Sequence, residues 1–305
     1  MYLILLIAMV ALPVVVLWTL AIGASMARLP ASVSWGGLSL VAVVGVVGTK
    51  LGVDLTNQAV VHASKEMTNT MIANGLMVSL YTSIGALMVV VAGLIAVPLV
   101  AWLPAVLKPG PEAEFDRTSL MSSVVGAVLG GVCMAGITGL VVVVWMYRLP
   151  GPEWMLLPFA VGLSLPMWVA SARISTEGEH QGRIAGTRFL MGTAAFLALG
   201  FAGEVFVLMS DGLTFMALAN AKPEMWMTMI SGGEGYVISS RWVGWASGLM
   251  PGMAGWFGAL PQIKFIDSRQ MIGAAWAGVQ VLVIGACIWA THHLTQLDLM
   301  ALLPK

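Results

Sequence analysis

"SLMSSVVGAVLGGVCMAGITGLVVVVWMY", residues 119–147, is built from apolar and small residues with a few hydroxyls, and it carries no charge. A helix needs about 20 mostly apolar residues to cross the hydrocarbon core of a bilayer. This run is longer than that minimum. It is also continuously apolar rather than alternating, which favours a helix over a membrane strand. The stretch therefore predicts a membrane-spanning helix.

The whole chain has the composition of an integral membrane protein. Of its 305 residues, 59% are hydrophobic and 9% are charged, and the mean hydropathy is +0.94. Soluble domains carry roughly 25% charged residues, so this chain cannot cover a globular surface with polar groups. Basic and acidic residues balance at 14 each, which gives no electrostatic reason to bind nucleic acid. We expect lipid around the chain and no nucleic-acid partner.

The same criterion predicts an all-α, polytopic bundle of about seven spans in a single membrane domain, residues 1–305. The predicted spans are 2–23, 34–53, 71–103, 119–147, 154–172, 188–210 and about 270–292. Counts of Lys and Arg on the two sides tie, but the short connections place the Arg28 side in the cytoplasm and the N-terminus outside.

Residues 211–269 lie between the last two predicted spans and are rich in Trp and Met. Tryptophan favours the membrane–water boundary, so we predict one amphipathic, extracytoplasmic connection on the membrane surface. A docking surface for a partner subunit or a lipophilic substrate is the alternative.

Small residues recur along the predicted span 119–147. They are Gly126, Ala127, Gly130, Gly131, Ala135 and Gly139. Small residues at four-residue spacing let two helix backbones approach closely, so we expect this helix to pack deep within the bundle.

Glu204 is the clearest ionisable residue inside a predicted span. A charge at the bilayer centre costs at least about 2.5–3.5 kcal/mol on insertion scales, so such a residue is a functional candidate. Glu204 is either a relay for protons or cations, a counter-charge to a partner subunit, or a protonated carboxyl bonded to a neighbouring helix.

The sequence carries no motif of an enzyme or of a cofactor site. We find no GxSxG, GxxxxGK[ST] or HExxH. Haem in a bundle needs facing histidines at bilayer depth, whereas His62 and His180 lie in connections and His292 with His293 at a helix end. No Cys, His, Asp or Glu cluster has metal-ligand spacing. We expect no catalysis, no cofactor and no metal.

Two segments carry hydroxyls within apolar surroundings: "GVVGTKLGV" (45–53) and "GLMVSLYTSIGAL" (75–87). Together they resemble the paired core helices of the MotA/TolQ/ExbB family of proton-channel subunits. That family has G-[LF]-x-G-T-V-x-G in one helix and G-I-x-x-A-L-x-[AT]-T-A-x-G-L in the next. The matching residues are Gly45, Gly48, Thr49, Gly52, Gly75, Ser79, Leu80, Thr82, Ser83 and Gly85. The resemblance covers residues 35–100, and Lys50 stands where the family has a small apolar residue.

The resemblance implies a cyclic homo-oligomer in a bacterial inner membrane. Its second and third helices would line a pore around the membrane helix of a partner, a single-span protein with an essential aspartate. Thr49 and Thr82 (or Ser83) would supply hydroxyls to the ion path, with Glu204 as a further relay.

We therefore expect an ion-conducting, proton-selective membrane subunit of a multi-subunit energy-transducing or motor complex. A non-catalytic scaffold or anchor subunit of a large respiratory or transport complex remains the alternative.

Overall fold

The computed structural model describes residues 32–63, 65–107, 114–144, 151–174, 178–265 and 268–302. These residues form α1 (Ser32–Val60), α2 (Lys65–Leu107), α3 (Arg117–Val144), α4 (Leu156–Ser171), α5 (Gly178–Asn220), α6 (Trp226–Ala259) and α7 (Ser268–Leu302). Two short strands, β1 (Glu114–Phe115) and β2 (Arg173–Ile174), pair antiparallel. Short 3-10 segments cover Pro152–Met155, Pro223–Met225 and Leu260–Phe265.

Six of the described helices contain a stretch long and apolar enough to cross a membrane. The stretches are Gly37–Val60, Thr70–Ala96, Arg117–Val144, Pro152–Ser171, Ile184–Asn220 and Ala277–Leu294. They coincide with six of the predicted spans, so the prediction of an all-helical, multi-pass membrane protein is confirmed. The predicted span 2–23 lies outside the described residues, and the outside location of the N-terminus stays a prediction.

Residues 211–269 differ from the single surface connection that the sequence predicts. Helix α5 continues to Asn220, the chain turns, and α6 packs along α5 and α3. Between Ser239 and Ala259 the side chain of Trp242 is exposed, that of Arg241 is partly exposed, and the others are buried or half-buried. Glycine and serine lower the hydropathy of α6 without preventing its burial, because small residues suit a tightly packed membrane helix. The sequence places all of these residues on the extracytoplasmic side, whereas α6 runs antiparallel along α5 and carries its two ends to opposite ends of the bundle.

Glycine residues set the distances between α6 and its neighbours. A Cβ atom on Gly255 would lie 2.5 Å from the Cα atom of Gly192 in α5, and one on Gly203 would lie 2.7 Å from the carbonyl oxygen of Ser240. On the α3 side, a Cβ atom on Gly130 would lie 2.5 Å from the carbonyl oxygen of Leu249. Larger side chains at these positions would push the backbones apart.

Helices α1, α5 and α7 run in the same direction. Ser39 of α1 donates a hydrogen bond to Gln280 of α7. Ten residues further along α1, Thr49 and Thr291 of α7 both contact Ser83 of α2. Helix α5 is antiparallel to α2 and hence parallel to α1. Since α5 and α7 point the same way, the chain returns between them along α6.

The end of the bundle beside the two strands holds a cluster of three polar side chains, those of Asp116, Arg188 and Gln262. Gln262 Nε2 donates to Asp116 Oδ2 at 3.0 Å, and Arg188 Nη1 lies 3.7 Å from the same oxygen. The Arg188 side chain, only 1% exposed, also donates to the carbonyl oxygens of Ala170 and Gly258. A buried guanidinium is stable only with its donors paired, so this cluster ties α3, α4 and α5 to the segment after α6.

The small residues of α3 divide between two faces. Gly126, Ala127 and Gly130 are buried in the described structure, and both glycines approach the backbone of α6. The other three point outward: Ala135 and Gly139 are exposed, and a Cβ atom on Gly131 would meet only the sulfur atom of Met250, at 3.9 Å. This corrects the prediction that all six pack inside the bundle. Consecutive residues lie about 100° apart around a helix, and among the described residues α3 has neighbours on one side only.

We predict that Gly130→Leu destabilises the isolated chain by about 1–3 kcal/mol, because the new side chain overlaps the α6 backbone. Gly139→Leu is the matched control on the same helix, since a Cβ atom there meets nothing within 4 Å. Thermal unfolding of both purified variants in detergent measures the difference. Equal losses of stability in the two variants would contradict the packing described here.

Candidate functional site

Four hydroxyl side chains form a continuous hydrogen-bonded series between α1, α2 and α7. Thr82 Oγ1 lies 3.2 Å from Thr49 Oγ1, Thr49 Oγ1 lies 2.7 Å from Ser83 Oγ, and Ser83 Oγ lies 3.1 Å from Thr291 Oγ1. All four side chains are buried, with Thr82 the most exposed at 8%. We call these four residues, in the order Thr82, Thr49, Ser83 and Thr291, the hydroxyl chain.

Glycine in α1 allows the hydroxyls of the two helices to meet. A Cβ atom on Gly48 would lie 2.9 Å from Thr82 Oγ1, and one on Gly52 would lie 2.5 Å from Ser79 Oγ. A Cβ atom on Gly45 would lie 3.3 Å from the Cα atom of Ser83. The glycines of the segment 45–53 thus face the hydroxyls of the segment 75–87 across the interface between α1 and α2.

Backbone carbonyls stand at both ends of the hydroxyl chain. At one end, Thr82 Oγ1 can donate to the carbonyl oxygen of Ser79 at 2.9 Å. At the other end, Thr291 Oγ1 can donate to the carbonyl oxygen of Cys287 at 3.0 Å. A hydroxyl has one proton and two lone pairs. All four O–H bonds can therefore point toward either end of the series, and in both arrangements every hydroxyl proton is hydrogen-bonded to an acceptor.

A groove of about 300 Å³ opens along the α1–α2 hairpin next to the Thr82 end. Its lining is mostly apolar, and the hydroxyls of Thr56, Ser79 and Thr82 are its polar groups. Gly48 and Gly75 belong to the lining and keep it open. The groove gives the buried hydroxyl chain an approach from outside the bundle at one end.

The α5–α6 hairpin repeats the arrangement of the α1–α2 hairpin. In α1, Gly45, Gly48 and then Thr49 face α2, while in α5 the same spacing places Gly200, Gly203 and then Glu204 against α6. In both hairpins the residue after the second glycine bonds to the facing helix. Both hairpins also run in the same direction, as helices of parallel internal repeats do.

Glu204 is held by a paired cation. Arg241 Nε donates to Glu204 Oε1 at 2.9 Å, Arg241 Nη2 donates to Oε2 at 3.0 Å, and Trp245 Nε1 donates to Oε1 at 3.2 Å. The Glu204 side chain is 7% exposed and that of Arg241 is 39% exposed. A fork of two parallel N–H bonds is the strong geometry of an arginine–carboxylate pair, so Glu204 is fixed as a paired carboxylate.

The structure brings three of the four predicted ion-path residues together and places the fourth elsewhere. Thr49, Thr82 and Ser83 belong to the hydroxyl chain, whereas Glu204 occupies the equivalent place in the second hairpin. Sequence reasoning missed Thr291, because a lone threonine in an apolar helix carries no signal of its partner in α2.

Glu153 is a second buried carboxylate that sequence reasoning missed. It is 1% exposed and accepts a hydrogen bond from Ser239 at 2.8 Å. It lies at the very start of a span, where charged residues are commonly solvated. Among the described residues, no three His, Cys, Asp or Glu side chains gather as metal ligands.

We predict that Arg241→Met destabilises the chain by about 1–3 kcal/mol, because it leaves a buried carboxylate without two of its donors. Adding Glu204→Met to that variant should restore part of the loss. Lys50→Met is the control, since Lys50 pairs with Asp54 on an exposed face and its loss should cost at most about 0.5 kcal/mol. Thermal unfolding of the wild type, the two single variants Arg241→Met and Glu204→Met, the double variant and Lys50→Met tests this. Losses that simply add in the double variant would contradict a coupled pair.

Comparison with known proteins gives no match for this chain: no family model, no curated protein and no solved structure is detectably similar to it. The resemblance of residues 35–100 to the MotA/TolQ/ExbB signatures therefore stays an expectation.

Proposed function

We propose that this chain is a proton-conducting membrane subunit of a multi-subunit energy-transducing or motor complex. The single observation that carries the proposal is the hydroxyl chain. Hydroxyls kept inside an apolar bundle need a reason, because burying them without partners is costly. Here three contacts join the hydroxyls to one another across three helices, although each threonine of the series also has a backbone carbonyl within reach. Packing alone does not require the hydroxyl–hydroxyl contacts.

The hydroxyl chain can move a proton without any heavy atom leaving its place. When the O–H bonds point from Thr291 toward Thr82, a proton arriving at Thr291 Oγ1 displaces the proton of that hydroxyl onto Ser83. The next transfers run through Thr49 to Thr82, which passes its own proton to a water molecule in the groove. Every O–H bond then points the other way and ends on the Cys287 carbonyl. Rotation of the four hydroxyls restores the starting state.

The same geometry favours protons over metal cations. A bare cation needs about six oxygen ligands in place of its water. The buried hydroxyls at 2.7 to 3.2 Å from one another leave no space between them for such an ion. The mostly apolar groove also offers few oxygen ligands. We therefore assign the proton as the conducted ion.

The α5–α6 hairpin has the same arrangement as the α1–α2 hairpin, but in this proposal it does not conduct. Arg241 is paired with Glu204 at the position that corresponds to Thr49, and a guanidinium cannot give up a proton to pass it on. In this proposal Glu204 fixes the bundle, and conduction runs through the α1–α2 hairpin alone. This assignment replaces the expected relay role of Glu204.

The outward face of α3 supports assembly with other membrane chains, including further copies of this one. Gly131, Ala135 and Gly139 repeat every four residues there, a spacing that suits contact with another membrane helix. We propose other membrane subunits as partners, a single-span protein with a membrane aspartate among them. A bacterial inner membrane is the location that the family resemblance implies.

A non-catalytic scaffold subunit is the second candidate function, and the outward small residues of α3 favour it as well. In that case the hydroxyls serve only to fix α1, α2 and α7. The scaffold predicts that loss of the Thr49 hydroxyl weakens the chain or its complex, whereas conduction predicts loss of proton flux in a stable protein.

The directions of the helices also support the expected orientation. If α6 crosses the membrane, the connection after it lies on the same side as Arg28. The numbers of Lys and Arg residues on the two sides are then no longer equal. The Arg28 side then holds Arg28, Lys108, Arg117, Arg173, Arg183, Arg188, Lys264 and Arg269. The opposite side holds Lys50, Lys65, Arg148, Lys222 and Lys305. The larger basic count supports a cytoplasmic Arg28 side and an outside N-terminus.

We predict that Thr49→Val abolishes proton flux through the purified assembly in lipid vesicles, because it removes the central hydroxyl at nearly constant shape. Thr138→Val is the matched control, since Thr138 is buried and bonds only within its own helix. An imposed pH gradient followed with an internal dye measures the flux. Undiminished flux in folded Thr49→Val would rule out the hydroxyl chain as the path.

We also predict that Lys222 and Lys264, at the two ends of α6, lie on opposite sides of the membrane. Single cysteines are placed at either position after Cys133 and Cys287 are replaced by serine. A membrane-impermeant thiol reagent added to intact cells should label one position only. Labelling of both from the same side would show that α6 lies on the surface.

A further inference from the structure

Asp211 and His292 form a carboxylate–imidazole pair at the Thr291 end of the hydroxyl chain. Asp211 Oδ2 of α5 lies 3.5 Å from His292 Nδ1 of α7, and the two side chains are 19% and 22% exposed. Both residues fall within apolar stretches that are long enough to cross a membrane. Ionisable groups are expensive there and commonly mark proton relays.

The pair lies where α2, α5 and α7 meet. His292 directly follows Thr291, the last member of the hydroxyl chain. Next to Asp211, a Cβ atom on Gly212 would touch Leu80 of α2 at 4.0 Å. Leu80 is one helical turn from Ser83, so the pair and the end of the hydroxyl chain share one small region of the bundle.

We propose that Asp211 and His292 hold the proton that enters or leaves the hydroxyl chain at Thr291. This inference rests on the proposed function and names the donor for its path. A hydroxyl chain transmits a proton but does not store one, because an alcohol neither gains nor loses a proton near neutral pH. Imidazole is the side chain that most readily takes up and releases a proton, and the carboxylate of Asp211 lies beside this one.

The proton balance of the step is simple. The imidazolium of His292 gives its proton through one water molecule to Thr291 Oγ1, and the Thr291 proton moves on to Ser83. His292 is left neutral beside the negative Asp211. A proton from the aqueous side then restores the imidazolium. No oxidant, reductant or further reactant takes part.

Other charged groups near the pair have partners or face away. On α7, His293 stacks on Trp289 with ring centroids 5.1 Å apart. On α5, Glu204 is bonded to Arg241 of α6, and Glu234 of α6 is exposed. Helix α1 contributes the exposed pair of Lys50 and Asp54. Helix α2 has no charged residue after Glu66, and its Tyr81 is exposed.

The test measures proton flux of the purified assembly in vesicles between pH 5 and pH 8. His292→Gln should lower the flux by about one order of magnitude or more at every pH in this range. Asp211→Asn should lower the flux as well, because His292 loses the carboxylate that lies 3.5 Å from its Nδ1 atom.

His293→Gln is the matched control and should behave as wild type. If both Asp211→Asn and His292→Gln keep the wild-type flux while Thr49→Val abolishes it, the proton-holding pair is disproved and the proposed function stands. If Thr49→Val also conducts, the proposed function itself fails. Thermal unfolding checks that each variant is folded, and should His292→Gln not fold, the flux of Asp211→Asn decides.

Discussion

Close approach of helix backbones at glycine is the constraint on which the bundle and its site depend. Gly48 and Gly203 contribute no side chain to their helix interfaces, so Gly48 lies directly against the side chain of Thr82 and Gly203 against the backbone of Ser240. Only at such distances do short hydroxyls reach across a helix interface at 2.7 to 3.2 Å. The glycines therefore do two things at once: they hold the hairpins together by van der Waals contact, and they bring polar groups within hydrogen-bonding distance in an apolar interior.

The two hairpins apply the same backbone geometry to different chemistry. After the second glycine, α1 has Thr49 and α5 has Glu204, and each side chain bonds to the facing helix. A neutral hydroxyl can donate and accept, so its partners are other hydroxyls and carbonyls. A carboxylate accepts only, and it requires the donors of Arg241 and Trp245. This difference separates a site that can relay a proton from one that fixes the bundle.

Much of this fold could be predicted from the sequence, because the bilayer sets the length and composition of a spanning helix. The predicted spans within the described residues all correspond to helices. Helix α6 was not predicted, since its many glycines and serines, together with Arg241, reduce its hydropathy although most of its second half is buried. Thr49, Thr82 and Ser83 were found through their local signatures. Their connection to Thr291, and the pairing of Glu204 with Arg241, depend on which helices are neighbours, and a single sequence does not contain that information.

The ion selectivity of the wild-type assembly tests the central claim most directly. Vesicles that contain the purified chain, in the oligomeric state in which it is extracted, are given either a pH gradient or a sodium gradient. A dry relay of hydroxyls predicts that the pH gradient collapses much faster than in empty vesicles, while the sodium gradient persists. Sodium movement as fast as proton movement, or a pH gradient as stable as in empty vesicles, would contradict the account.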